Sequence, residues 1–224
     1  MHRHYVHLAM AAVACAFVTD VRAVAQTTAQ TTTVQVAAEV STRTVRSEES
    51  ALANVITDAL RAAERTDIAF MPAIAFTERT LPRGPAAIED LLKALEYRND
   101  RLSVVRLTGD QIVAALEHGL ALHPQRSPAF LQVSGVTVTV DPSAERGRRV
   151  VSVRVGRAAL QADRRYEVAM PAPLANGALA YFRIWSKTDI VREPARTLEA
   201  AVSEYLATER TIGAREEERI VFRR

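Results

Sequence analysis

The chain has 224 residues, of which 48% are hydrophobic and 25% charged, with a net charge of +3. That is enough to bury one core of moderate size. The small charge, the dispersed arginines and an aromatic content of 5% argue against nucleic acid as a partner.

Met1 to His7 carries Arg3 and three histidines, and Leu8 to Val18 is apolar but too short to span a membrane. Ala23-Val24-Ala25 has the small-x-small form of a signal-peptidase site. Residues 1–25 therefore read as a signal peptide cleaved before Gln26, and the product as periplasmic or secreted. Ala12-Val13-Ala14-Cys15 is a second reading: a lipobox without its usual leucine, which would anchor Cys15 in a membrane. Otherwise no membrane is expected. Cys15 is the only cysteine, so the released form has no disulfide and no thiol chemistry. Residues 26–39 read as a Gln/Thr/Ala linker running into a candidate first strand, Val34 to Val40.

The stretch Arg46 to Arg61 reads as a helix with Ser47 as N-cap. Ala51, Leu52, Val55, Ile56, Ala59 and Leu60 form one apolar stripe. Glu48 and Glu49 suit the positive end of the helix dipole. Asn54 and Asp58 share one face beside the stripe. Arg46 lies just before the first turn, where its guanidinium and the free helix N–H groups can meet the same anion. Asp67 to Met71 suits a buried strand, and Pro72 to Gly84 is irregular. Ala87 to Glu96 predicts a second helix and Leu102 to Leu107 a strand. Thr108-Gly109-Asp110-Gln111 is a capping box opening a third helix, with Ile112, Ala115, Leu116 and Gly119 on one face.

Strands dominate the second half. Phe130–Val133 and Val136–Val140 are separated by Ser134-Gly135, and the valines of the latter alternate with threonines. Val150–Val155, Tyr166–Met170 and Arg219–Phe222 are further strands, and Thr197–Leu206 is a last helix. This order predicts an α+β fold, a single domain with a mixed sheet flanked by helices. After signal removal only His118 and His123 remain, five residues apart, a poor spacing for a helical metal pair. With no Gly-rich phosphate loop and no Gly-x-Ser-x-Gly, neither a cofactor nor a self-contained metallohydrolase is expected.

Several of these motifs together resemble a known family. Glu49-Ser50-Ala51-Leu52-Ala53-Asn54-Val55-Ile56-Thr57-Asp58-Ala59 is similar to the Glu-x-x-x-Gly-Asn-Leu-Ile-x-Asp-Ala signature of the 5'-nucleotidase C-terminal domain. Asp67-Ile68-Ala69, Asn99, Leu107 to Ile112, Leu116-Glu117, Phe130 to Gly135, Leu174 to Gly177 and Arg219-Ile220 follow in the family's order. The resemblance spans residues 40–224. It implies a domain that grips a nucleotide, usually beside a metallophosphatase domain carrying the hydrolytic chemistry. It places Arg46 on the phosphate, Tyr97 against the base, and Asn99 beside them.

Other positions depart from the pattern. The family's Asn-Gly-Gly-x-Ile-Arg loop is replaced by Pro72 to Thr77. The second stacking aromatic is Pro173, and Gly-Gly-Asp-Gly has become Gly177-Ala178-Leu179-Ala180. Arg79 and Arg83 are either solvated loop residues or replacements for the lost arginine. Two roles stay open: an accessory subunit that completes the cleft of a separately encoded metallophosphatase in nucleotide catabolism, with a nucleotide or nucleoside as ligand, and a binding or structural module that no longer takes nucleotides. An autonomous nucleotidase is the weakest reading.

Overall fold

The computed structural model describes residues 33–193, 196–213 and 217–223. The signal-like segment, the Cys15 alternative and the start of the linker lie outside them. In chain order the elements are β1 (Thr33–Val36), β2 (Val40–Ser41), α1 (Ala51–Glu64), β3 (Ile68–Pro72), β4 (Thr80–Leu81), β5 (Gly84–Ala87), α2 (Ile88–Leu92) and β6 (Leu102–Thr108). Then come α3 (Gly109–Gly119), β7 (Leu131–Ser134), β8 (Val136–Val140), β9 (Val150–Val155), β10 (Ala158–Ala159) and β11 (Arg165–Pro171). The last are α4 (Ala172–Ala175), β12 (Ile190–Arg192), α5 (Leu198–Thr208), β13 (Thr211–Ile212) and β14 (Ile220–Phe222).

The central sheet is ordered β12-β6-β11-β3-β7. Only β3 and β11 run parallel within it, so the sheet is mixed as expected. All five residues of β3 are buried. This is the continuous apolar run of a strand covered on both faces. A second sheet, β10-β9-β8-β14, continues from β7 through Gly135, and a small third sheet is ordered β13-β1-β5. Gly135 is required at that corner: its φ is +79°, and a Cβ there would collide with the carbonyl of Asp67.

Helix α1 packs its stripe against β3, β7, β11 and α5. Leu52, Ile56 and Leu60 are fully buried, each contributing about 1.5–3 kcal/mol. Its cap is Ser50, in extended backbone, with its hydroxyl accepting from Ala53 N–H. The expected cap, Ser47, is instead in a preceding turn, where Ser47 N–H and Glu48 N–H both donate to Thr44 O at 2.9 Å. Glu48 and Glu49 therefore do not sit in the first helical turn.

The second helix is also shorter than the spacing suggests. It ends at Leu92 because Glu96 N–H and Thr77 N–H bond to Ala75 O and Ala94 O at 3.0 Å, pulling the chain out against the Ala75–Thr77 segment. The third helix carries the expected capping box between Thr108 and Gln111, and Ile112, Ala115, Leu116 and Gly119 are among its buried residues.

The signature residues of α1 hold the fold. The Glu49 carboxylate is buried and accepts from Asn54 Nδ2 at 2.5 Å, Glu217 N–H at 2.9 Å, Arg219 N–H at 2.6 Å and Ile220 N–H at 3.2 Å. It thereby fastens the last strand to the first helix. Arg219 returns the connection. Its guanidinium donates to Asp58 Oδ2 at 2.7 Å and Val133 O at 2.9 Å, and Glu217 Oε2 also accepts from it. Burial disfavours the arginine's charge, but Asp58 and Glu217 outweigh it and raise its pKa. Ser134 Oγ donates to Asp58 Oδ1 at 2.5 Å and accepts from Arg61 Nε at 2.8 Å. Gln132 binds Val45 O, Glu48 O and Ser50 N–H, fixing the turn before α1. The Gln132-Val133-Ser134-Gly135 run is thus a seam of hydrogen bonds between sheet and helix.

Candidate functional site

The parallel strands β3 and β11 both end in proline, Pro72 and Pro171. At their carboxyl ends lies a cleft of about 360 Å³, lined by Pro72, Ile74, Ala75, Tyr97, Asp100, Pro171, Pro173, Leu174, Ala178 and Leu179. Its position follows the rule that ligands sit beyond the carboxyl ends of parallel strands, and its size suits a small molecule. Eight of its ten lining residues are aliphatic or proline. Tyr97 is 46% exposed, unusual for an aromatic ring beside a packed core.

Each wall is held from behind. Asp100 N–H donates to Tyr97 O at 3.1 Å, closing a tight turn. Two N–H groups at the start of α5, on Glu199 and Leu198, donate to Arg98 O and Asp100 O at 3.0 and 2.8 Å. Arg98 makes a bidentate pair with Glu89 at 2.8 and 2.9 Å and meets Glu199 at 3.1 Å. Tyr97 and Asp100 are therefore presented to the cleft by a braced turn.

The opposite wall is the Ala172–Leu179 segment. Ala172 N–H donates to Arg101 O at 2.8 Å, and Trp185 Nε1 donates to Leu174 O at 3.1 Å. Leu179 and Ala180 adopt left-handed backbone, with φ of 58° and 68°, which costs about 1–2 kcal/mol for each non-glycine residue. Of the two, Ala180 keeps a left-handed path where the resembled loop has its last glycine. His118 Nε2 donates to Leu179 O at 2.7 Å and packs edge-on against buried Tyr181, whose hydroxyl donates to Ala129 O. His118 thus braces the cleft wall.

The candidate residues are distributed unevenly. Tyr97 lines the cleft. Asn99 lies in the same turn and does not line it. Arg46 is half-buried in the turn before α1 and also lies outside the lining. Its carbonyl accepts from Ser127 N–H at 2.8 Å, and the neighbouring Pro128 O accepts from Ile74 N–H of the cleft rim at 3.0 Å. Arg79 and Arg83 do not line the cleft either; Arg79 is held in the β2–β4 corner, its N–H donating to Thr42 Oγ1. Asp100 was not among the sequence candidates. The available signal was its place one residue beyond Asn99. Burial raises its pKa.

A larger groove of about 610 Å³ lies at the other end of β3 and β11, lined by Asp58, Arg61, Asp67, Arg164, Glu217 and Arg219 among others. Its central charges are already committed to one another through Arg219, Asp58 and Glu217. It is the outer face of the hydrogen-bond network that holds the fold. Among the described residues, no three His, Cys, Asp or Glu side chains are grouped to hold a metal ion.

Comparison with known proteins decides the family. The family model for the 5'-nucleotidase C-terminal domain matches residues 23–184. The chain belongs to that family. A 5'-nucleotidase precursor from Thermus thermophilus is 28% identical with a TM-score of 0.76, over 84% of this chain and 39% of that one. Human 5'-nucleotidase is 30% identical over 148 residues, 62% of this chain and 25% of its own length. A snake venom 5'-nucleotidase from Naja atra is 29% identical over 109 residues, 45% of this chain and 20% of its own length. The chain thus spans about a quarter or less of these two curated relatives.

Proposed function

We propose that the chain is an exported, non-catalytic substrate-binding subunit that completes the cleft of a separately encoded metallophosphatase in nucleotide catabolism. The observation carrying this reading is the braced apolar cleft at the ends of β3 and β11, with the exposed Tyr97 ring on one wall. A flat base is assigned to the Tyr97 wall, and the phosphate to Arg46, whose carbonyl is bonded by Ser127 N–H beside the Pro128 that meets Ile74 of the cleft rim. Asn99 belongs to the same turn as Tyr97. Metal-dependent hydrolysis is assigned to the partner, since the described residues group no ligand set. Export is supported by the signal-like residues 1–25 and by a relative named as a venom protein.

A second reading is a module that no longer binds nucleotides. It is favoured by the cleft lining itself, which contains no arginine and carries Pro173 and Leu179 where the family has an aromatic ring and a carboxylate. Calorimetric titration of the chain with AMP and GMP separates the two. The first reading expects saturable binding, weakened about 5- to 100-fold by Tyr97→Ala through loss of stacking and weakened also by Arg46→Ala. No heat of binding at millimolar concentration of either nucleotide overturns the first reading in favour of the second.

A further inference from the structure

We infer that Asp100 sets the specificity of the cleft, and that the ligand is a base or nucleoside presenting two adjacent N–H donors, as guanine does. The inference rests on the reading of the cleft as a base-binding site and deepens it. Among the ten lining residues, Asp100 alone carries a charge at neutral pH. Its backbone is occupied: the N–H bonds to Tyr97 O and the carbonyl accepts from Leu198. No salt bridge joins its side chain to another described residue. The carboxylate therefore faces partial desolvation without compensation in the free protein, and burial raises its pKa accordingly.

An ionised carboxylate only accepts hydrogen bonds, and its two oxygens take two parallel donors. The Watson–Crick edge of guanine offers N1–H and the N2 amino group side by side. Hypoxanthine keeps N1–H alone. Adenine sets an acceptor, N1, beside its amino group, so one carboxylate oxygen meets a lone pair. Tyr97 and Asp100 bracket one turn and line the same cleft, so the stacked ring is assigned to Tyr97 and its edge to Asp100. The apolar remainder excludes water and raises the value of each bond made there. Arginine is missing from the lining, which leaves any phosphate outside the cleft, and a nucleoside suffices as ligand.

The test is calorimetric titration of the full chain with guanosine, inosine and adenosine. The expected order is guanosine, then inosine, then adenosine, with about a 10- to 100-fold step for each charge-assisted hydrogen bond lost. Asp100→Ala removes the preference and brings guanosine to the level of adenosine; Asp100→Asn, which keeps one acceptor, restores part of it. Tyr97→Ala weakens all three alike. Both Asp100 variants keep the wild-type melting temperature within a few degrees, because the side chain makes no ion pair in the fold. Binding through Tyr97 with equal affinity for the three nucleosides, or an unchanged order in Asp100→Ala, overturns the inference and leaves the base-binding reading standing. Absence of binding by all three while GMP or AMP still binds overturns the inference alone; absence of binding by nucleosides and nucleotides alike overturns both.

Discussion

Glu49 offers the sharpest test of how this fold closes. Its carboxylate, 8% exposed, accepts four N–H donors, three of them from the backbone of Glu217, Arg219 and Ile220. Replacing it with alanine leaves those donors without an acceptor and opens a space between α1 and the last strand. Each bond to a charged group is worth about 1.5–3 kcal/mol, but the four act as one unit and do not add. Glu217 is partly exposed, so water can take up its donor. A loss of about 3–5 kcal/mol is the resulting expectation, the range for removing one partner from a buried charged cluster. For a chain of this size that lowers the melting temperature by roughly 6–20 °C. Glu49→Gln keeps one acceptor oxygen and loses less. Urea unfolding at neutral pH measures both. A Glu49→Ala variant within about 1 kcal/mol of wild type, at unchanged denaturant slope, would refute the idea that this carboxylate ties the last strand to the first helix.

Other outcomes follow from the same geometry. Gly135→Ala meets both a left-handed φ and the Asp67 carbonyl, so it should cost at least about 2 kcal/mol in urea unfolding; a neutral substitution contradicts the corner. The hydrogen bond to Arg106 is the largest effect on Glu167 and lowers its pKa; burial opposes it, and Arg192 adds to the lowering. Its folded pKa is lowered, so its stabilisation is present above the unfolded pKa and lost as pH falls through the folded value. Glu167→Gln should therefore cost about 0.5–1 kcal/mol at neutral pH, because the pairs are partly exposed. The difference should shrink as pH falls below the ordinary carboxyl pKa of about 4 and vanish once pH is below the lowered folded value; a gap that does not shrink contradicts the ion-pair origin. His118→Ala should loosen the Leu179 loop, seen as faster hydrogen exchange at Ala178 to Tyr181 with β3 and β11 unchanged. Equal exchange in both proteins removes the bracing role.

Much of the fold was legible because its longer elements bury a single pattern. The α1 stripe, the five-residue run of β3, the Val/Thr alternation of β8 and the Thr108 capping box each state one conformation locally. The errors fall where distant partners decide. Ser47 lost the cap to Ser50 because Thr44 and Gln132 tie down the preceding turn, and α2 stops early because Glu96 N–H and Ala94 O turn to the Ala75–Thr77 segment. The shorter strands β2, β4, β5, β10, β12 and β13 have too few residues to show a period. The family signature was legible too, and its residues Glu49, Asn54 and Asp58 prove to fasten α1 to the last strand. The cleft residues are scattered over separate segments, and Asp100 shows no pattern of its own beside Asn99. Its place on the cleft emerges only from the docking of its turn on α5.

In the proposed assembly the chain lends its cleft to a metallophosphatase. The direct measurement is nucleotidase activity of a metallophosphatase domain lacking this family's C-terminal domain, encoded with the chain, while the chain is titrated in. The expected result is that kcat/KM for a nucleoside monophosphate rises with added chain and saturates at equimolar ratio, and that Tyr97→Ala abolishes most of the rise. Full activity of the metallophosphatase domain alone, unchanged by an excess of the chain, would contradict it.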